Sequence, residues 1–168
     1  YRCNYFFENV LPSYENNAIV GNTTNIKHYI GEMYFFRAFM YFERLKSLGD
    51  FPIITKTYPN EREALIEISK RAPRNEVARF ILSDLDKAIE MMQNIAPSGG
   101  KNRLSKDCAI LLKSRVALYE GSWLKNFKGT AFVPNGPGWP GANKDYNANY
   151  SFKSGSIEKE SEFFFDEA

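Results

Sequence analysis

The sequence has little of the residue types that build metal centres and disulfide-rich folds. It contains one histidine, His28, and two cysteines, Cys3 and Cys108, in 168 residues. Two cysteines are too few for a disulfide framework, so we expect two buried thiols, and a bridge between them stays open. A zinc site or a Ser-His-Asp triad would depend on His28 without a second ligand or a nucleophile motif. We therefore interpret His28 as a surface residue on the first turn of a helix.

A strong excess of one charge and a long apolar run are also absent. The formal net charge is +2, and the lysines and arginines are scattered along the chain. Because phosphate binding requires a concentrated basic surface, we expect no nucleic-acid partner. No apolar run approaches the ~20 residues that a membrane-spanning helix needs. The chain begins without Met and ends within a predicted helix, so we expect it to be part of a longer chain.

Two patterns that could carry a cofactor or catalysis are weak. Residues 136–141 read GPGWPG and match the glycine pattern of dinucleotide sites, but Pro137 and Pro140 remove backbone donors. Asp86 and Glu90 stand opposite the apolar stripe of their helix, which favours a solvated pair over a glycosidase pair. We expect no cofactor, no metal and no catalytic residue. A glycosidase with an unrecognised carboxylate pair is the weakest alternative.

Aromatic residues, in contrast, are abundant at 15% of the chain. Six of them fall between Tyr34 and Phe42, within residues 30–54, which read IGEMYFFRAFMYFERLKSLGDFPII. They run round most of a helix predicted over residues 25–48, which indicates a helix buried between neighbours. Gly31 lies inside this helix and implies that another backbone passes close to it.

Apolar residues at spacings of three and four predict two further long helices, over residues 75–94 and 104–127. A last helix should begin near Ser156, and Pro52 makes the residues after the second helix extended. The pattern predicts an all-α fold of tetratricopeptide-like antiparallel helix hairpins with long irregular loops and one short extended segment. We expect residues 1–168 to form a single helical domain.

Residues 127–155 form a long loop that contains five glycines and three prolines. A loop of this length is usually functional or disordered, and its many rings argue against disorder. Rings stack on the apolar face of a sugar, and amides hydrogen-bond its hydroxyl groups. We therefore predict a carbohydrate site at Trp139, Tyr146, Asn147 and Tyr150. The alternative is that these rings only pin the loop to the helices.

Several motifs, in order, resemble those of the SusD/RagB family. Residues 30–54 are similar to its signature helix, which reads G-E-A-x-F-L-R-A-x-x-Y-F and then G-D-V-P-L. The stretches RNEVARFILSDLDKAIEMM and RLSKDCAILLKSRVALYEGSW resemble the two following helices, so the likeness covers most of residues 1–126. The family's signature helix is scaffold, which implies structural roles for Gly31, Glu32, Arg37 and Asp50. We predict that Glu32 and Arg37 each have a partner on another element.

The resemblance also implies a function. Members of this family are surface lipoproteins of the Bacteroidetes outer membrane that bind glycans or other nutrients, without catalysis. They deliver these ligands to a TonB-dependent transporter barrel (SusC-like). We expect a glycan-binding, non-enzymatic part of a longer SusD-like chain, held at the cell surface by a lipid anchor outside these residues. The alternative is a tetratricopeptide-like protein-interaction module whose main partner is the transporter barrel.

Overall fold

The structure, a computed structural model, describes residues 1–99 and 102–168. Its helices in those residues are α1 (Arg2–Glu15), α2 (Thr23–Leu48), α3 (Arg62–Ile68), α4 (Arg74–Met91), α5 (Lys106–Asn126) and α6 (Ile157–Asp166). Within the described ranges there is no strand, and the extended segment after α2 forms a single antiparallel bridge between Phe51 and Ala72. The predicted all-α class is confirmed.

Apart from the short α3, helices that follow one another pack as antiparallel pairs, and α4 lies between α2 and α5. In each pair the contact positions rise along one helix while they fall along the other. The contacts are Asn4–Arg37 and Phe7–Tyr34 for α1 and α2, Arg37–Asp84 and Tyr41–Phe80 for α2 and α4, Arg74–Glu120 and Asp86–Lys113 for α4 and α5, and Gly121–Ser161 and Lys113–Glu167 for α5 and α6. This succession of hairpins is the predicted tetratricopeptide-like arrangement.

The aromatic helix α2 is buried on three sides and exposed on the fourth. Tyr34, Phe35 and Phe42 belong to the core that α2 shares with α1, α4 and α5. Phe36 and Phe39, in contrast, are 46% and 41% exposed. The prediction that α2 is buried between neighbours is therefore correct for its inner faces, while its outer face is exposed. Nine consecutive residues of an α-helix point in all directions around its axis. Because six of residues 34–42 are aromatic, some of the rings lie on the outer face.

Gly31 allows α2 and α4 to approach closely. A Cβ atom at this position would lie 2.7 Å from Met92 Cγ, 3.0 Å from Met91 Cβ and 3.3 Å from the carbonyl oxygen of Ala88. The predicted passage of another backbone beside Gly31 is confirmed, because the Ala88 carbonyl belongs to the main chain of α4.

Replacing Gly31 with alanine should lower the free energy of unfolding by about 1 kcal/mol, because the two helices must move apart. At a helix position without a close neighbour, the same substitution would raise the free energy of unfolding by about 1 kcal/mol, because alanine has the higher helix propensity. Equilibrium urea unfolding, followed by circular dichroism, measures the difference. A higher unfolding midpoint for the variant would contradict the close approach.

The predicted surface position of His28 is wrong, since its side chain is completely buried. The first turns of α2 lie over the end of α4, where the Gln93 backbone N–H donates to His28 Nδ1 at 2.9 Å. In the neutral ring the proton is therefore on Nε2, which lies 3.4 Å from Glu32 Oε1. Local sequence places His28 near a helix start, and only the position of α4 buries it.

Glu32 and Arg37 both have partners on other elements, which confirms that prediction. Arg103, in the segment before α5, donates to Glu32 through Nε at 3.1 Å and through Nη2. Arg37 donates to both carboxylate oxygens of Asp84 on α4, at 2.6 and 2.8 Å, and to Asn4 Oδ1 on α1 at 3.0 Å. Glu32 and Arg37 thus hold α2 against neighbouring parts of the fold, Glu32 through a loop residue and Arg37 through two helices.

Both cysteines are free thiols and half-buried, so the bridge that the sequence left open is not formed. Among the described residues, every helix is too short or too polar to cross a membrane.

Candidate functional site

A cavity of about 580 Å³ opens between the C-terminal end of α2, the end of α3 and the loop 127–155. Two hollows of about 730 and 520 Å³ adjoin it, one along α3 and one along residues 143–146, and both share Tyr146 with it. The three together are named the Tyr146 groove. Its wall includes Lys46, Asp50, Arg62, Ser69, Lys70, Arg71, Trp123, Phe132, Trp139, Lys144, Tyr146 and Asn147.

Asp50 joins three elements at the base of the groove. Its Oδ1 accepts the backbone N–H of Arg74 at 2.9 Å, which satisfies a free donor at the start of α4. Its Oδ2 accepts the indole N–H of Trp139 at 2.7 Å. Burial raises the pKa of Asp50, although these hydrogen bonds and the nearby charges of Arg74 and Arg71 oppose the increase. Asp50 therefore ties the loop to the ends of two helices.

A buried ion pair supports the wall beside Asp50. The Arg74 guanidinium donates to Glu120 at 2.8 and 3.0 Å, and both side chains are almost completely buried. The same guanidinium lies 3.9 Å from the centre of the Trp123 ring. Trp123 in turn donates from its indole to the carbonyl oxygen of Phe132 at 3.0 Å. These contacts hold α5 and the first part of the loop in one position.

The structure brings together three of the four predicted sugar-binding residues. Trp139, Tyr146 and Asn147 all line the cavity, whereas Tyr150 does not. Trp139 is only 3% exposed, and Asn147 donates to the carbonyl oxygen of Gly141 at 3.2 Å. Tyr150 packs against Trp139 and donates from its hydroxyl to Asn75 Oδ1 at 2.7 Å. These are the contacts of a pinned loop, and a sugar-binding role for the three stays a prediction.

Tyr146 has the free aromatic surface that a stacking site requires. Its side chain is 44% exposed and borders all three parts of the groove. Phe132, which is absent from the predicted set, is 62% exposed on the same cavity wall. Rings with one open face beside polar groups are the components of a carbohydrate site.

The basic side chains along α3 are the part of the site that the sequence did not indicate. Arg62 and Arg71 both line the groove and are exposed. Residues 58–74 have no clear apolar period, so neither the helix α3 nor the direction of its charges could be predicted. The scattered cations of the sequence become neighbours only when α3 folds back beside the end of α2.

The carboxylate pair considered for catalysis is solvated, as predicted. Asp86 is 57% exposed and forms an ion pair with Lys113, and Glu90 is 73% exposed beside Lys27. Among residues 1–99 and 102–168, no group of histidine, cysteine and acidic side chains is close enough to hold a metal ion. The groove offers ring faces, hydrogen-bond donors and positive charge.

A family of SusD-like proteins, described as starch-binding and associating with the outer membrane, matches residues 8–118 of this sequence. The chain belongs to the SusD-like family. The resemblance seen in the signature motifs is thereby confirmed. The matched interval includes the end of α2 and all of α3, but it stops before the loop that carries Phe132 and Tyr146. One side of the Tyr146 groove is therefore built from SusD-like sequence and the other from residues beyond the match.

The solved structures include a SusD-like protein from Bacteroides fragilis that is 34% identical to this chain, with a TM-score of 0.60. The similarity covers 73% of this chain and 23% of that one. This SusD-like chain thus spans less than a quarter of the length of its structural relative. No curated protein matches it.

Proposed function

We propose that this SusD-like chain binds an oligosaccharide in the Tyr146 groove and does not alter it chemically. The observation that carries the proposal is the exposed ring of Tyr146, which borders all three parts of a groove lined by polar side chains. The ring can stack on a sugar while Lys46 and Lys70 donate hydrogen bonds to its hydroxyl oxygens. The starch-binding description of the family supports the same ligand class.

The proposal also includes the cellular location of binding and the fate of the bound glycan. We propose that these residues are one helical domain of a longer protein, held at the cell surface by a lipid anchor, which delivers glycan to a TonB-dependent transporter barrel. The family's association with the outer membrane and the 23% coverage of the solved relative support this placement. Family members bind without catalysis, and the engagement of both Asp50 oxygens by internal donors agrees with that role.

Replacing Tyr146 with alanine should weaken glycan binding roughly fivefold to tenfold, because the stacking surface is lost. The full-length protein is run through native gels that contain a panel of polysaccharides, and retardation measures the affinity. The matched control is Tyr5→Ala, since Tyr5 is an exposed tyrosine on α1 that does not line the groove. Equal retardation of the wild type and Tyr146→Ala by every glycan would contradict the assignment of this groove.

The alternative function, a protein-interaction module, gives a different result in the same samples. The exposed apolar side chains Phe36, Phe39 and Met40 on the outer face of α2 favour a protein contact. Capture of the transporter barrel without retention of any glycan would support the module and overturn glycan binding. Release of reducing ends from the polysaccharides would instead reveal a glycosidase.

A further inference from the structure

The charged side chains of the Tyr146 groove are predominantly basic. Lys46, Arg62, Lys70, Arg71, Arg74 and Lys144 line its three parts. The acidic side chains in the same lining are Asp50 and Asp145. Asp50 is half-buried and directs both carboxylate oxygens at internal donors. Asp145 is therefore the exposed carboxylate of the groove wall.

Some of these cations are already neutralised by nearby carboxylates. Arg74 is paired with Glu120, Lys46 with Glu43 and Lys70 with Glu67. The last two pairs are exposed, so water and salt screen them strongly.

Arg62, Arg71 and Lys144 have no such partner. Within the described residues, none of the three has a carboxylate oxygen within 4.0 Å. All three are exposed, and Arg71 and Lys144 line the same cavity as Tyr146. A guanidinium presents two parallel N–H donors that fit the two oxygens of a carboxylate or a sulfate, and an ammonium adds a second positive charge.

We propose that the ligand of the Tyr146 groove is an acidic oligosaccharide, one that carries carboxylate or sulfate groups, and that Arg71 and Lys144 bind those groups. The inference rests on the proposed function and specifies its ligand class. Tyr146 stacks on the sugar ring, and the two cations, which line the same cavity, contact the acidic substituents. A neutral glucan would leave both cations without a partner.

Two pairs of polymers that differ mainly in charge test this inference. Polygalacturonic acid is compared with its methyl ester, and dextran sulfate with dextran, in affinity gels of the full-length protein. We expect at least one acidic polymer to retard the wild type more than its neutral counterpart, and added salt to reduce the difference. Preference for the uronate would identify a carboxylate ligand, and preference for dextran sulfate a sulfated one.

The double variant R71Q/K144Q should weaken binding of the preferred acidic polymer roughly tenfold and leave binding of neutral polymers unchanged. The matched control is R115Q/K159Q, which removes two exposed cations of α5 and α6 that lie outside the groove. Thermal unfolding confirms that both double variants remain folded.

Three results would overturn the inference. The wild type could bind the neutral polymers as strongly as the acidic ones, or both double variants could lose binding equally. Single-stranded DNA could be retained as strongly as the acidic glycans, which would reveal a general polyanion surface. If neutral glycans bind and Tyr146→Ala removes that binding, the proposed function stands and only the acidic specificity fails. If no glycan is retained at all, both fail.

Discussion

Replacing Asp84 with alanine is expected to lower the free energy of unfolding by about 3–5 kcal/mol, the usual cost of leaving one member of a buried ion pair unpaired. Asp84 is 1% exposed and accepts two hydrogen bonds from Arg37, at 2.6 and 2.8 Å. The guanidinium also lies 4.6 Å from the centre of the Phe7 ring, enclosed between α1, α2 and α4. Without the carboxylate the charge of Arg37 remains in an apolar site, and Asn4 is its one remaining side-chain acceptor among the described residues. Equilibrium urea unfolding at pH 7 measures the loss.

The control for this variant lies on the same helix. Asp86→Ala removes a carboxylate that is 57% exposed, so it should change the free energy of unfolding by less than about 0.5 kcal/mol. The double variant R37M/D84L removes both charges together and should be much closer to the wild type than Asp84→Ala. A loss below about 1 kcal/mol for Asp84→Ala would show that the pair does not hold the three helices together.

Glu160 is expected to give the chain a stability that depends on pH. Its side chain is completely buried at the start of α6 and accepts hydrogen bonds from Arg79 at 2.6 and 2.9 Å, from Asn75 at 2.9 Å and from the Ser154 backbone at 3.1 Å. Burial by itself raises the pKa of Glu160, but these donors outweigh it and hold the pKa at about 2, below the ordinary 4.5.

Because the folded pKa is lowered, the stabilisation is complete above about pH 4.5 and is lost as the pH falls to about 2. Glu160→Gln should therefore be less stable than the wild type by roughly 2–3 kcal/mol at pH 7, and the difference should shrink between pH 4.5 and 2. Urea unfolding at a series of pH values measures it. Glu162→Gln, on the exposed side of the same helix, should match the wild type throughout. A difference that does not change with pH would exclude an ionised Glu160 as its source.

The Tyr146 groove was predictable in part. Three of the four predicted residues line the cavity, because aromatic and amide side chains in a long loop are a signal that the sequence contains. Phe132 is in the same loop and could have been included on that basis. The burial of Trp139 had no such signal, since it depends on Asp50, which is 89 residues away in the sequence.

The buried carboxylates Glu120 and Glu160 lie on the sides of α5 and α6 that face arginines of α4. Nothing in their sequence neighbourhood distinguishes them from the solvated Asp86 and Glu90. A buried charge is tolerated where an opposite charge lies next to it. Whether that happens depends on how two helices pack together, which the sequence of one helix does not show.

The sequence by itself determined the long helices, the extended segment after α2, the close approach of another backbone to Gly31 and the family membership. These features depend on apolar periodicity, on helix-breaking residues and on motif order, all of which are local along the chain. Only the tertiary structure decided that His28 is buried, that Trp139 is held by Asp50, and that Arg71 and Lys144 share a cavity with Tyr146. These features depend on which surfaces of distant segments come into contact, and no local sequence pattern specifies those contacts.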